Sequence, residues 1–120
     1  RKRVFITRAL AQEPEVILLD EPTTNLDIHH QIDFLDLILT LNRERGLTIV
    51  MASHDMNITS EFCDRLILLQ EGRIYKMGAP DEVITKENIE KVYGCEVWVD
   101  QSPFSGMPRI SLLKKGAHSP

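Results

Sequence analysis

The chain has 120 residues, of which 42% are hydrophobic, 27% charged and 6% aromatic, the make-up of one ordinary globular unit. Lys and Arg number 14 against 18 Asp and Glu, and the formal charge of −4 argues against a nucleic-acid-binding surface. No run approaches the ~18 apolar residues that span a bilayer, and Cys63 and Cys95 belong to no CxxC pair, so they read as reduced thiols of a soluble, unsecreted chain.

Val4, Phe5, Arg8, Ala9 and Ala11 keep helical spacing up to Pro14, which predicts a helix over residues 1 to 12. Its start carries Arg1, Lys2 and Arg3 without an N-cap, unfavourable for the helix dipole unless earlier turns precede it. Residues 16 to 19 are an unbroken apolar run ending in Asp20, Glu21 and Pro22, the profile of a parallel strand buried on both faces. From 28 to 45, Ile28, Ile32, Leu35 and Leu39 with a second row at Phe34, Ile38 and Leu41 predict a wide apolar helical stripe that stops before Gly46. Leu47, Ile49, Val50 and Met51 make a second buried strand running into Ala52, Ser53, His54 and Asp55, and strand, helix and strand together form a βαβ unit. A weaker helix over 56 to 63 leads to a strand at 66 to 69, which Glu71 and Gly72 turn back into 73 to 76 as a hairpin. Pro80 and Asp81 open a short helical turn, and Thr85 caps a helix over 86 to 93 that Gly94 ends. Residues 96 to 99 suit an edge strand, and the stretch from 100 onward reads as loop with one strand at 110 to 113.

In open parallel sheets ligands sit beyond the carboxyl ends of the strands, and two such ends here carry Asp20 with Glu21 and His54 with Asp55. Neighbouring strand residues point to opposite faces, so the two carboxylates have separate roles unless the chain turns between them. One carboxylate for a hydrated Mg²⁺ and one for a water fits that geometry. Taken singly, the same residues also fit a polar strand end before a proline turn, and a helix entry capped by Asp55.

The string LLDEPTTNLD at 18 to 27, followed after one helix and one strand by MASHD at 51 to 55, resembles the ATP-binding cassette (ABC) ATPase family. Residues 18 to 21 look like a Walker B strand end, Asn25, Leu26 and Asp27 like the D-loop, and His54 like the switch histidine. Arg3, Val4, Arg8, Ala9 and Leu10 resemble the helix after the family's signature loop, and DRLILLQEGRIYKMGAPDEV at 64 to 83 is similar to the segment that follows the histidine in transporter cassettes. None of the six glycines is followed by Lys, so the GxxxxGK[ST] phosphate cradle does not occur in this sequence, nor does the paired-glycine signature. The resemblance therefore implies the C-terminal part of a P-loop NTPase domain: an α/β fold with a parallel sheet core and a small β-hairpin and helix region, spanning residues 1 to 99, with 100 to 120 as a tail.

By the same resemblance the ligands are ATP and Mg²⁺. Asp20 would hold the metal, Glu21 would polarise the attacking water, and His54 would contact the γ-phosphate. Asn25 and Asp27 would serve the nucleotide from the D-loop, with Asp27 coupling two sites across a dimer. The implied partners are a second ATPase subunit, head to tail, and transmembrane permease subunits, at the cytoplasmic face of the membrane and without nucleic acid. His29 and His30 read as surface residues of the first helical turn. His30 with Gln31, and TKENIEKVYGCEVWV at 85 to 99, are similar to importers of iron chelates, haem and cobalamin. The implied function is importer ATPase, with the 120-residue stretch inactive alone. The rival readings are a cassette ATPase acting on nucleic acid, which would not need the hairpin and GAPDEV turn after His54, and a non-catalytic interaction module.

Overall fold

A computed structural model describes residues 15–116, so the helix expected over 1 to 12 lies outside the described residues. The chain divides after His54 into two compact units. No helix among the described residues is long and apolar enough to cross a membrane.

Among its described residues the first unit is a parallel pair with one helix. Strand β1 (Val16–Asp20) runs beside β2 (Thr48–Ala52) in the register Val16↔Thr48 to Asp20↔Ala52, and α1 (Ile28–Arg45) connects them. The crossover is long because parallel strands cannot be joined by a tight turn. Asp27 caps α1 by accepting the His30 N–H, and Gly46 at φ 62° closes it in the left-handed conformation that costs glycine least. Asn42 adds a side-chain bond to the Leu47 carbonyl at 2.7 Å, tying the helix end to the start of β2.

Phe34, Ile38 and Leu41 of α1 pack on Ile17 and Leu19 of β1 and on Leu47, with Leu26, Leu37, Ile49 and Met51 at the margin. Each such side chain contributes about 1.5–3 kcal/mol by leaving water. Two expectations are corrected here. The strand at 16 to 19 is buried on one face only: Ile17 and Leu19 face the helix, whereas Leu18 is 70% exposed beside exposed Val16 and Val50. One helix covers one face of a two-stranded sheet, so the other face has no cover among the described residues. Likewise Ile28 and Ile32 lie outside the buried stripe of α1, because the face that meets the sheet is centred on Phe34, Ile38 and Leu41.

Among its described residues the second unit holds two antiparallel hairpins and three short helices. Helix α2 (Met56–Phe62) is capped by Asp55, whose carboxylate accepts the Ile58 N–H at 3.0 Å. Strands β3 (Leu66–Gln70) and β4 (Arg73–Gly78) pair around a two-residue turn in which Glu71 and Gly72 both have positive φ, matching the strand twist. A bulge at Tyr75 breaks the ladder. Helices α3 (Pro80–Val83) and α4 (Lys86–Tyr93) follow, and then β5 (Val97–Gln101) pairs with β6 (Pro108–Leu112). The boundary expected after residue 99 falls inside β5, and the strand expected at 110 to 113 forms two residues earlier as the partner of β5. The core is Leu66, Leu68, Val83, Ile84, Ile89, Val97 and Ile110.

Polar side chains join these pieces. Asn57 of α2 donates to the Ile110 carbonyl at 3.0 Å and accepts the Ile110 N–H at 2.7 Å, while buried Ser60 donates to the Pro108 carbonyl at 2.6 Å. Thr85 caps α4, and Asn88 donates to the Val83 carbonyl at 3.0 Å, satisfying the end of α3. Glu90 accepts from Lys86 at 2.6 Å and from the Val97 N–H at 3.1 Å, which fixes the start of β5. Glu82 accepts the Ala79 N–H, and a Cβ on Gly78 would stand 2.8 Å from that carboxylate, so GAPDEV is a glycine followed by a capped turn. Cys63 and Cys95 are free thiols, and burial first, then Asp64, pushes the Cys63 thiol up, away from reactivity.

The Lys86 ammonium first, and the Val97 N–H next, hold the Glu90 carboxyl below its usual range, and the Arg109 guanidinium, paired to Asp100 at 3.0 and 3.1 Å, does the same for Asp100. A carboxylate lowered on folding stabilises above its unfolded pKa and loses that contribution as pH falls through the folded value. Urea midpoints should therefore drop as pH falls below the ordinary carboxylate range. Glu90→Gln should flatten that slope, and an unchanged slope in the variant would remove Glu90 from the account.

Candidate functional site

The expected site residues all lie in the first unit, at the carboxyl ends of β1 and β2. The ladder runs one bond past the paired residues, with the Glu21 N–H donating to the Ala52 carbonyl at 2.7 Å. There the chain turns. Glu21 has φ 45° and Asn25 φ 71°, and with Glu71 these are the non-glycine residues of positive φ among those described. A left-handed Glu costs about 1–3 kcal/mol and persists only where its surroundings hold it. The turn takes Glu21 out of the strand alternation that would set its side chain opposite that of Asp20.

Glu21 and His54 are brought together. His54 Nε2 lies 3.4 Å from Glu21 Oε1, and the His54 N–H points at Oε2 at 3.5 Å. The imidazole is 92% exposed and the carboxylate 31%, so the pair sits at the surface, open to a ligand. Thr24 Oγ1 donates to Glu21 Oε2 at 3.2 Å, a partner that sequence reasoning missed, although the second threonine of PTTN was the available signal. The loop is further knit by Thr24 N–H to the Glu21 carbonyl at 3.3 Å and Leu26 N–H to that of Thr23 at 3.2 Å. A fixed carboxylate beside an exposed imidazole can accept a proton from water while the ring donates to charge developing on an anion.

Asp20 ends β1 with its side chain exposed, and no donor among the described residues reaches it. Those residues offer no group of three or more His, Cys, Asp or Glu able to hold a metal. An exposed single carboxylate suits an ion that keeps most of its waters, as Mg²⁺ does beside phosphates. Asp27 stands one helical entry away. Its Oδ1 accepts the His30 N–H at 2.9 Å and contacts His30 Nδ1 at 2.7 Å. The His30 N–H first, and the His30 ring next, hold the Asp27 carboxyl below its usual range. His29, exposed like its neighbour, lies 3.5 Å from Asp33.

Asn25 is a residue type that tolerates the left-handed region because its short amide bonds locally. Asn25→Gly should leave the unfolding midpoint near the parental value, while Asn25→Val should lower stability by about 1–3 kcal/mol. Chemical unfolding of both variants checks this, and equal midpoints would mean the turn is not under conformational constraint.

Comparison with known proteins places the chain. No protein-family model matches it. It is 45% identical over 119 residues to the ferric enterobactin transport ATP-binding protein FepC of Escherichia coli, a match covering 99% of this chain and 44% of that protein. The chain thus spans less than half the length of that relative. Among solved structures, an inward-facing metal-chelate type ABC transporter superposes with a TM-score of 0.85 at 28% identity, over 96% of this chain and 47% of the other. A dimeric ATP-binding cassette in a post-hydrolysis state with ADP and phosphate superposes at 0.59 and 38% identity, over 65% of this chain and 33% of that one. These are P-loop NTPase domains of ABC ATPases, and the mixed α/β fold described above is part of theirs. By sequence along nearly its whole length, and by backbone, the chain belongs to the ATP-binding cassette ATPases.

Proposed function

We propose that the protein containing this chain is the ATP-hydrolysing subunit of an importer, with Glu21 as general base for the attacking water and His54 as donor to the γ-phosphate. The observation that carries this is the turn at Glu21, which puts its carboxylate 3.4 Å from His54 Nε2 at the open end of a parallel strand pair. Phosphoryl transfer asks the protein chiefly for positioning and charge stabilisation, and this pair offers both. Asp20, exposed and with no donor among the described residues, would hold Mg²⁺, which when bound neutralises phosphate charge. Thr24 keeps the Glu21 carboxylate oriented through Oε2. Asn25 shapes the loop, and Asp27 faces a second copy of the cassette, head to tail, across which the nucleotide is shared.

The assembly we infer is two such subunits beneath two permease subunits, peripheral at the cytoplasmic face of the membrane. The cargo is an iron chelate, with haem and cobalamin as members of the same class. A relative named for ferric enterobactin transport supports the cargo, and the negative formal charge is in keeping with partners other than nucleic acid. The phosphate cradle would come from sequence beyond these 120 residues, because a carboxylate and an imidazole cannot replace backbone amides and a lysine around a triphosphate.

In the full-length polypeptide Glu21→Gln should retain ATP binding and lower kcat by about 10²–10⁴-fold, the range a positioned general base supplies. The 120-residue chain alone should show no micromolar ATP binding by titration calorimetry. Near-parental turnover of the Gln variant would remove Glu21 from the base role, and tight binding by the short chain would overturn the need for the cradle.

A further inference from the structure

Two residues of the first turn of α1, His30 and Gln31, turn back onto the loop. Gln31 Nε2 donates to the Thr23 carbonyl at 3.4 Å, and the His30 ring closes on Asp27 at 2.7 Å. Asp27 Oδ1 is therefore gripped twice by one residue, through the His30 main-chain N–H and the His30 ring, while no donor among the described residues reaches Oδ2. Both side chains remain largely exposed, at 61% for His30 and 68% for Asp27. The His29 ring packs edge-on against His30 at 5.3 Å and takes Asp33 as its own carboxylate, so among the described residues the carboxylate that the His30 ring contacts is Asp27.

We propose that His30 is a positioning residue for Asp27: its ring pins Oδ1 so that Oδ2 is presented to a second copy of the chain. The proposal rests on the dimeric ATPase reading given above and adds to it a residue that is neither catalytic nor at the nucleotide. An ionised carboxylate only accepts hydrogen bonds, so the ring must carry its proton on Nδ1, leaving Nε2 toward solvent. A cap alone would not need this ring, because any residue at position 30 except proline supplies the N–H that caps α1. The ring adds a second, lateral restraint, which fixes the direction of a carboxylate that one bond would leave free to swing. Gln31 braces the other side of the loop at Thr23.

Two variants separate positioning from capping. His30→Ala keeps the capping N–H and removes the ring donor, and His30→Asn restores an amide donor at the reach of Nδ1. In the full-length polypeptide His30→Ala should lower kcat about tenfold, as a misplaced group does, with KM for ATP within about twofold and the Hill coefficient falling toward one. His30→Asn should recover both readouts. Parental kcat and cooperativity in the Ala variant, or an Asn variant as impaired as Ala, would overturn the proposal. Nitrogen-resolved NMR of the ring gives a readout independent of turnover: Nδ1–H in the parent, with Nε2–H in Asp27→Ala. An Nε2–H tautomer in the parent would break the clamp itself. Absence of ATP turnover in the full-length parent would sink the ATPase reading instead, with the tautomer still deciding the contact.

Discussion

The site depends on one constraint, the parallel register of β1 against β2. Because Asp20 stands opposite Ala52, the Glu21 N–H reaches the Ala52 carbonyl, and the strand that carries Ala52 delivers His54 two residues later to the Glu21 carboxylate. A slip of one residue would turn Ile17 and Leu19 out of the core and part the two catalytic candidates together. The helix core of Phe34, Ile38 and Leu41 therefore fixes chemistry as well as stability, since it makes only one register acceptable. The left-handed turn at Glu21 is then held by the last rung of the ladder on one side and by Thr24 on the other.

The second unit gives a physical meaning to residues that otherwise look like family markers. Thr85, Asn88 and Glu90 respectively cap α4, satisfy the end of α3 and fix the start of β5. Asn57 imitates a strand edge by bonding both backbone groups of Ile110. The pattern that resembles chelate importers is thus made of junction residues. A cassette's cargo class is legible in them only through descent, because none of these contacts meets a cargo.

Much of this was readable from sequence for definite reasons. The helix at 28 to 45 has a capping Asp27 and a closing Gly46, and the hairpin at 66 to 78 has a Glu-Gly turn of the required hand, so local signals agreed with the fold. One-sided burial of β1 was not readable, because an apolar run looks the same whether one face or both are covered. The turn at Glu21 was also hidden, since glutamate carries no left-handed signal and only the site's surroundings hold it there. Ser60 on Pro108 and His30 on Asp27 escaped for a related reason: each is a polar residue whose partner is chosen by tertiary geometry or ring orientation, neither of which leaves a pattern in sequence.

Whether Glu21 and His54 act as one unit set by that register is decided by a double-mutant cycle. Single-turnover ATP hydrolysis would be measured for the full-length parent, Glu21→Gln, His54→Ala and the double variant. Joint action gives a coupling energy of about 1 kcal/mol or more, with the double variant little slower than the worse single one. Losses that add to within about 0.5 kcal/mol would mean that the two side chains work independently and that the register does not join them into one device.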